Sequence, residues 1–307
     1  MADACKVAQN MKMSLTNNDG NILVTGAGGH IGLEVCRLLK ASRLPVLGID
    51  LNEDKGRDIR KCDLRSNGQL SALFQNHRIR AVIHLAGILP SAFRADPMKG
   101  ADVNLIGSLE LIRHSQAARV KRFVFGSSMS IYGALHRRPV TEDDAATPND
   151  VYGASKRAIE LVGETLAQNG AFEFVALRIA RVIGPGIRTT SSPWRSQLFE
   201  AVAHSDPINI PFSPEALLSL VHVEDVARML VTLVQAPKVD SFSYNSPAEI
   251  WQTKELKELV EGLRGVHVQL GPEATAGGPV CEGSRFAKEF KFQLCGLRER
   301  FQAVAGT

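Results

Sequence analysis

A glycine-rich segment between an apolar run and a helical pattern limits the fold of this chain more than any other feature. Residues Asn21–Thr25 have the apolar composition of a buried strand, and residues 31–40 repeat apolar side chains at helical spacing. Between them, glycines stand at positions 26, 29 and 32. A turn without Cβ atoms lets a phosphate approach the backbone, and a helix N-terminus adds N–H donors and partial positive charge. The segment therefore predicts a strand, a loop and a helix that together bind a pyrophosphate.

The same alternation continues through the first half of the chain. Further apolar runs occupy 45–50, 81–85, 122–125 and 174–177, and helical patterns occupy 70–76, 98–118 and 151–168. Continuous apolar strands that alternate with helices are typical of a parallel sheet covered on both faces. After residue 183 proline and glycine recur, and helical patterns return at 223–234, 254–263 and 286–293.

We therefore predict an α/β fold with two domains behind a tail. Residues 1–20 mix charged and small polar side chains without the apolar core of a signal peptide, and we expect a disordered tail there. Residues 21–183 are expected to form a cofactor-binding domain, whose sheet the chain rejoins near 219–247. Residues 184–307 are expected to form mainly a smaller α/β substrate-binding domain.

Composition excludes several classes of protein. The apolar fraction is 44% of 307 residues, and no run approaches the ~18 apolar residues of a membrane span. The net charge of +4 is spread along the chain without an aromatic-interleaved basic stripe, so nucleic-acid binding is not expected. Five scattered cysteines without paired spacing predict reduced thiols, a cytoplasmic location and no zinc or other metal site.

Asp50 ends the second predicted strand, eighteen residues after Gly32. A carboxylate at that point can accept hydrogen bonds from the ribose hydroxyls of a dinucleotide. The same negative charge would repel a 2′-phosphate. The position of Asp50 therefore predicts NAD as the cofactor, in preference to NADP.

Tyr152 and Lys156 lie four residues apart in the predicted helix at 151–168, so their side chains share one face. A free tyrosine has a pKa near ~10, and a base that works near pH 7 needs a shift worth roughly 4 kcal/mol. One cation about 4 Å away supplies roughly 4 kcal/mol at an effective dielectric of ~20. The pair can therefore activate the phenol as a base.

These motifs, and several others in order along the chain, resemble the extended short-chain dehydrogenase/reductases of the NAD-dependent epimerase/dehydratase family, most closely the nucleotide-sugar 4-epimerases. The other matching segments are Cys62-Asp-Leu64, His84-Leu-Ala-Gly87, Asp102-Val-Asn-Leu-Ile-Gly107, Gly126-Ser-Ser-Met-Ser-Ile-Tyr-Gly133, Leu177–Gly186 and Val221–Val226. The resemblance covers residues 21 to about 301. It implies a Rossmann-type doubly wound parallel sheet, an NAD cofactor and a homodimer formed through the Tyr152 helix and the long helix before it.

The resemblance also assigns roles to individual residues. It makes Ser128, Tyr152 and Lys156 catalytic: Ser128 holds the substrate alcohol, Tyr152 exchanges its proton, and Lys156 lowers the tyrosine pKa and binds the nicotinamide ribose. Asn104 braces the site in members of the family. The residues expected to bind NAD are Gly26, Gly29, His30, Ile31, Gly32, Asp50, Asp63, Leu64, Leu85, Ala86, Gly87, Asn104, Tyr152 and Lys156.

The substrate is expected to contact Ser128, Met129, Arg181 and Arg188. Met129 and Ser130 stand where dehydratases of the family place acidic residues, which disfavours dehydration. Arg181 replaces the asparagine usual in nucleotide-sugar epimerases. Leu218-Ser219 replaces the Arg-Asp whose arginine binds the substrate diphosphate, so Arg181 is expected to meet either a diphosphate or the carboxylate of a sugar acid.

Three functions remain open at this point. The first is epimerase-type oxidation and re-reduction of a secondary alcohol on a sugar or nucleotide-sugar. The second is net NAD-dependent dehydrogenation or reduction of a sugar acid, polyol or other small alcohol. The third is a non-catalytic NAD-binding protein, which the intact Ser128, Tyr152 and Lys156 disfavour.

Overall fold

The protein's structure, a computed structural model, describes residues 20–133, 138–170, 172–186, 192–200, 207–272 and 277–305. The predicted tail lies outside these residues except for Gly20, and so does the candidate substrate residue Arg188. The bounds of the twelve described strands are β1 Asn21–Thr25, β2 Val46–Asp50, β3 Ile59–Lys61, β4 Ile79–His84, β5 Arg122–Ser128, β6 Glu173–Ile179, β7 Arg181–Ile183, β8 Ile208–Ile210, β9 Leu217–His222, β10 Ser243–Asn245, β11 Glu249–Gln252 and β12 Val268–Leu270.

The described helices connect these strands and cover the sheet. Their bounds are α1 His30–Ala41, α2 Asn67–Asn76, α3 Pro90–Ala95, α4 Pro97–Ala101, α5 Ser108–Ala117, α6 Val151–Gln168, α7 Trp194–Gln197, α8 Val223–Gln235, α9 Thr253–Arg264, α10 Ser284–Glu289 and α11 Leu297–Ala305.

Seven strands form the main sheet, in the order β10-β6-β5-β4-β1-β2-β3. Every pairing within it is parallel. The middle strands are buried almost throughout, which explains their uninterrupted apolar runs. The predicted doubly wound parallel sheet is therefore confirmed, and all its carboxyl ends lie at one edge, where ligands bind in such folds.

Two apolar cores cover the two faces of this sheet. One core includes buried side chains of α1 and α8, and the other includes those of α2 and α5. A third core lies in the second half of the chain, around Trp194, Leu256 and Phe301. There, the sheets β11-β9-β7 and β12-β8 form a smaller α/β layer. Because β10 returns to the main sheet after these insertions begin, the two layers are interleaved along the sequence. The exact division at residue 183 stays a prediction.

One predicted helix differs in detail. Residues 98–118 were expected to form a single α-helix, but Asp102–Gly107 adopts the wider turn of a π-helix between α4 and α5. The widened turn carries Asn104, whose side-chain amide accepts the N–H of Ile88 and donates to the carbonyl of the same residue. Such π-bulges occur frequently at functional sites.

Three of the cysteines are buried free thiols, Cys36, Cys62 and Cys281, and burial raises the pKa of the Cys36 and Cys62 thiols to about 11. Cys5 lies outside the described residues, and the prediction that all five cysteines are reduced stays a prediction. None of the described helices is both long and apolar enough to span a bilayer.

Candidate active site

The glycine loop between β1 and α1 is shaped for close approach of a ligand. Gly26 has a φ of +67°, and a Cβ there would lie 2.7 Å from the backbone nitrogen of Ala86. A Cβ on Gly32 would collide with the carbonyl of Gly26. The loop can therefore be built only from glycine at these positions, and it delivers the chain directly to the N-terminus of α1 at His30.

Asp50 contacts this loop directly. The backbone N–H of Gly28 donates to Asp50 Oδ2 at 3.0 Å, so the carboxylate at the end of β2 is held beside the loop. Its second oxygen accepts a long contact of 3.5 Å from the N–H of Asn52. The glycine loop and the N-terminus of α1 fit the pyrophosphate of NAD, and the Asp50 carboxylate fits its ribose hydroxyls.

A buried chain of hydrogen bonds joins the glycine loop to the π-helical turn. Thr25 Oγ1 accepts the N–H groups of Leu85 and Ala86 and lies 2.7 Å from His84 Nδ1. His84 Nε2 lies 2.8 Å from Ser108 Oγ, which donates to the carbonyl of Asn104. The Ser108 hydroxyl donates its proton to that carbonyl, so its oxygen must accept a hydrogen bond from Nε2–H of His84. His84 Nδ1 therefore carries no proton, and the Thr25 hydroxyl donates to it. Burial lowers the pKa of His84 to about 3, which keeps the ring neutral.

Asp63 and Leu64 follow β3 at the same edge of the sheet. Asp63 forms a bidentate ion pair with Arg65, whose hydrogen bonds lower the pKa of the carboxyl. Leu64 is buried, and its Cβ lies 3.1 Å from the place a Cβ would take on Gly107. The side chain of Asp63 is therefore committed to Arg65, and Leu64 packs against the π-helical turn.

Ser128, Tyr152 and Lys156 meet where β5 ends and α6 begins. Helix α6 starts at Val151 because Asp150 accepts the N–H of Gly153 at 2.6 Å. The Ser128 hydroxyl lies close enough to the Tyr152 phenol to lower the pKa of that phenol, and it donates to Ser130 Oγ at 3.1 Å. Lys156 Nζ donates to the carbonyl of Gly126 at 2.8 Å and lies 5.7 Å from the centre of the Tyr152 ring.

The charges at this site differ from the sequence argument. Burial raises the pKa of Tyr152 to about 12, although the Ser128 hydroxyl and the Arg195 charge act to lower it. Burial lowers the pKa of Lys156 to about 8, against the opposing charge of Glu160. In this geometry Lys156 does not lower the pKa of the Tyr152 phenol to near 7, because its ammonium is directed to the Gly126 carbonyl.

A buried ionic network between α6 and β6 was not predicted from sequence. Glu160, one turn beyond Lys156, accepts from Ser127 Oγ at 2.5 Å and from Arg178 Nη2 at 3.0 Å. Arg178 also donates to the hydroxyl of Tyr132 at 2.8 Å. Glu160 and Arg178 are both almost fully buried. Only the one-turn spacing from Lys156 to Glu160 signals this contact in the sequence.

Arg181 and Arg195 face the site from the substrate side. Arg181 Nη2 donates to the carbonyl of Gly277 at 2.8 Å, and its guanidinium lies 4.6 Å from the centre of the Phe212 ring. Burial lowers the pKa of Arg181 to about 10, and the Arg195 charge lowers it further. Arg195 donates to Ser192 Oγ at 3.3 Å, and its buried Nε has no partner. Arg195 thus joins Arg181 on this side of the cavity.

One cavity of about 630 Å³ brings most of these residues together. The candidate residues that line it are Gly26, Gly29, His30, Ile31, Gly32, Leu85, Gly87, Ser128, Met129, Tyr152, Lys156 and Arg181. Arg195 and Ser192 line it as well. The lining residues do not include the candidates Asp50, Asp63, Leu64, Ala86 and Asn104. Their roles stay predictions, as does that of Arg188.

Comparison with known proteins gives a consistent result. UDP-glucose 4-epimerase of Dictyostelium discoideum is 29% identical over 182 residues, which cover 54% of this chain and 53% of that protein. The chain thus spans about half the length of the curated relatives it matches first. MoeE5, solved with UDP-glucose and NAD, superposes with a TM-score of 0.78 at 27% identity and covers 94% of this chain and 98% of its own.

A UDP-glucose 4-epimerase from Thermotoga maritima, solved with UDP-glucose, has a TM-score of 0.81 at 23% identity and covers 93% of this chain and 97% of its own. At this identity the match shows a shared fold. The model of the NAD dependent epimerase/dehydratase family matches residues 22–245, which run from the second residue of β1 to the end of β10 and include all of α6. This chain belongs to the NAD-dependent epimerase/dehydratase family.

Proposed function

We propose that this protein is an NAD-dependent, epimerase-type oxidoreductase that acts on a secondary alcohol of a sugar or nucleotide-sugar. The observation that carries the proposal is the convergence of Ser128, Tyr152 and Lys156 with the glycine loop on one cavity. Relatives at 29% and 27% identity are a UDP-glucose 4-epimerase and a protein solved with UDP-glucose and NAD. Both support the same class of substrate.

Each residue has a defined task in this reaction. NAD, when bound, supplies the acceptor and donor for the hydride of the carbinol carbon. Ser128 holds the reacting hydroxyl against Tyr152, and Tyr152 takes its proton on oxidation and returns it on reduction. Lys156, held by the Gly126 carbonyl, keeps a positive charge beside the ring. Met129 is 9% exposed and offers no acid to protonate a leaving hydroxyl, so dehydration is not supported.

A net NAD-dependent dehydrogenase acting on a sugar acid or other small alcohol is the second candidate. It is favoured by β9, where Leu218 is fully buried and Ser219 is 2% exposed at positions expected to carry a diphosphate-binding arginine and its aspartate. Ser219 Oγ instead accepts the N–H of Cys281 at 3.1 Å. Strand β9 therefore places no cation towards a diphosphate.

One experiment separates the two candidates. The purified protein is assayed for co-purified NAD and then given UDP-sugars and, separately, free sugar acids, with NADH followed by absorbance. Isomer formation without NADH accumulation supports the epimerase, whereas stoichiometric NADH supports the dehydrogenase. Tyr152→Phe should abolish turnover with NAD binding retained; near-normal turnover in that variant would refute the assignment of Tyr152.

We also propose a cytoplasmic homodimer formed through α6 and the helical segments before α5. Met98 on α4 is 75% exposed, Ile106 is 53% exposed and Leu161 on α6 is 48% exposed. These apolar side chains lie on neighbouring elements, which gives the surface an apolar area suited to a second copy. A monomeric mass by light scattering would contradict this proposal.

A further inference from the structure

Two arginines line the cavity, and neither has an acidic partner in the described part of the chain. Arg181 and Arg195 both line it, and no described residue forms a salt bridge with either. The hydrogen bonds of Arg181 and Arg195 to Gly277 and Ser192 go to neutral acceptors. Arg195 Nε is buried without any partner.

Arg181 and Arg195 are half-buried, and their neutral partners set them apart from two other guanidinium groups in the described part of the chain. The buried guanidinium of Arg178 is paired with Glu160, and that of Arg122 is paired with Glu173. Removing a charge from water without a counter-ion is costly, so fully buried arginines are normally paired. Arg181 and Arg195 both line the cavity, and the charge of Arg195 opposes that of Arg181, so an anion bound between them would stabilise both.

The position of the pair ties it to the reacting end of the substrate. Ile179 lies opposite Ser128 in the parallel pairing of β5 and β6, and Arg181 stands two residues further along the same chain. Arg195 lines the same cavity as Tyr152, and its charge acts to lower the pKa of that phenol. An anionic group of the substrate that binds between the two arginines would therefore lie close to the carbon that reacts.

Two contacts hold the guanidinium of Arg181 in place. Its guanidinium packs on the ring of Phe212, and its Nη2 is fixed by Gly277. A planar guanidinium held by stacking loses little freedom when it binds an oxyanion in a forked geometry.

We propose that Arg181 and Arg195 together bind a carboxylate of the substrate next to the reacting carbinol, so that the preferred substrate is a sugar acid or its nucleotide conjugate. This inference deepens the proposed function and rests on it for the identity of the reacting site. A diphosphate would be the other source of an oxyanion. In a nucleotide-sugar, however, the sugar ring separates the diphosphate from the far side of the ring, where 4-epimerisation takes place.

The test compares ligands that differ by one carboxylate. Binding of UDP-glucuronic acid and UDP-glucose, and of glucuronate and glucose, is measured by calorimetry on the full chain with NAD present, in a Tyr152→Phe background that stops turnover. We expect the acid of each pair to bind about 10- to 100-fold more tightly, as charge-assisted hydrogen bonds imply. Equal binding of acid and neutral ligand would overturn the proposal.

Variants then locate the effect. Arg195→Gln and Arg181→Gln should each reduce the preference for the acid to less than about threefold and leave the affinity for UDP-glucose nearly unchanged. Arg195→Lys, which keeps the charge and alters the cavity least, should retain part of the preference. Equal loss of affinity for UDP-glucuronic acid and UDP-glucose would assign the pair to the diphosphate and refute the carboxylate. Arg37→Gln, which removes an exposed charge paired with Glu34, is the matched control and should change nothing.

The outcomes separate this inference from the proposed function. Preference for glucuronate with no binding of either UDP-sugar supports the arginine pair and refutes the nucleotide-sugar substrate. Turnover of UDP-glucose without any preference for acids supports the proposed function and refutes the carboxylate site.

Discussion

Replacement of Lys156 by methionine should stabilise the protein at pH 7 while it removes activity. The ammonium is 6% exposed, and burial lowers its pKa from 10.5 to about 8. A shift of this size corresponds to about 3 kcal/mol of destabilisation when the side chain is charged. Methionine cannot form the 2.8 Å hydrogen bond from Lys156 to the Gly126 carbonyl, and this loss reduces the gain in stability by about 1 kcal/mol. We therefore expect Lys156→Met to raise the free energy of unfolding by about 2 kcal/mol.

The pH dependence gives the sign of this effect independently. The folded protein releases the Lys156 proton near pH 8, whereas the unfolded chain releases it near 10.5. Between these values the unfolded state binds more protons, so the wild-type protein gains stability as pH rises. The penalty is fully present below pH 8 and disappears above the unfolded pKa. The advantage of Lys156→Met should therefore shrink by about 2 kcal/mol between pH 7 and pH 9.5.

Urea unfolding at both pH values measures this difference directly, with circular dichroism as the probe. Lys254→Met, which removes an exposed lysine of α9, serves as the control and should show no such change with pH. A constant difference between wild type and Lys156→Met across this range would refute the argument, since it would mean that Lys156 titrates alike in the folded and unfolded states.

Two further predictions follow from charged groups around the site. Asp50→Ala should weaken NAD binding by about tenfold and relax the exclusion of NADP, as measured by fluorescence titration; a wild-type protein that already prefers NADP would contradict the role of Asp50. Glu160→Gln should lower the free energy of unfolding by about 3–5 kcal/mol because it leaves Arg178 buried without its counter-ion, whereas Glu160→Gln combined with Arg178→Met should recover part of that loss. Urea unfolding tests the second prediction, and a single-variant loss below about 1 kcal/mol would contradict it.

The parts of the fold that could be predicted from sequence are those buried on both sides. Strands β1, β4, β5 and β6 are continuous apolar runs because helices cover both faces of the sheet. Strand β3 was missed because it has three residues and two of them are exposed. Its Ile59 alone could not distinguish a strand from a loop.

The π-helical turn and the arginine pair had no comparable signal. A π-helical turn inserts one extra residue into apolar spacing that remains close to helical, so only the Asn104 contacts to Ile88 reveal it. Arg181 and Arg195 come from a strand and a short helix separated by loop, and no periodicity relates their side chains. Residues on one helix, such as Tyr152 and Lys156, could be paired from spacing alone because the helix fixes their geometry.

Spacing alone nevertheless overestimates the effect of Lys156 on the pKa of Tyr152. A cation one helical turn away was expected to lower the pKa of the phenol, but the ammonium donates to Gly126 and burial dominates. With a pKa of about 12, ionisation of Tyr152 at pH 7 would cost roughly 7 kcal/mol. The phenol must therefore stay protonated in the protein alone and give up its proton only when further positive charge comes close to it.

Titration of the tyrosines tests this conclusion because the chain has only three. Burial raises the pKa of Tyr132 to about 12 and raises that of Tyr244 as well, so none of the three should ionise below about pH 10. Absorbance at 295 nm should stay flat to that pH in wild type, Tyr152→Phe and Lys156→Met alike. A step near pH 7–8 that is present in wild type and lost in both variants would show that Lys156 activates Tyr152 by itself. That result would restore the argument from spacing and refute the one from burial.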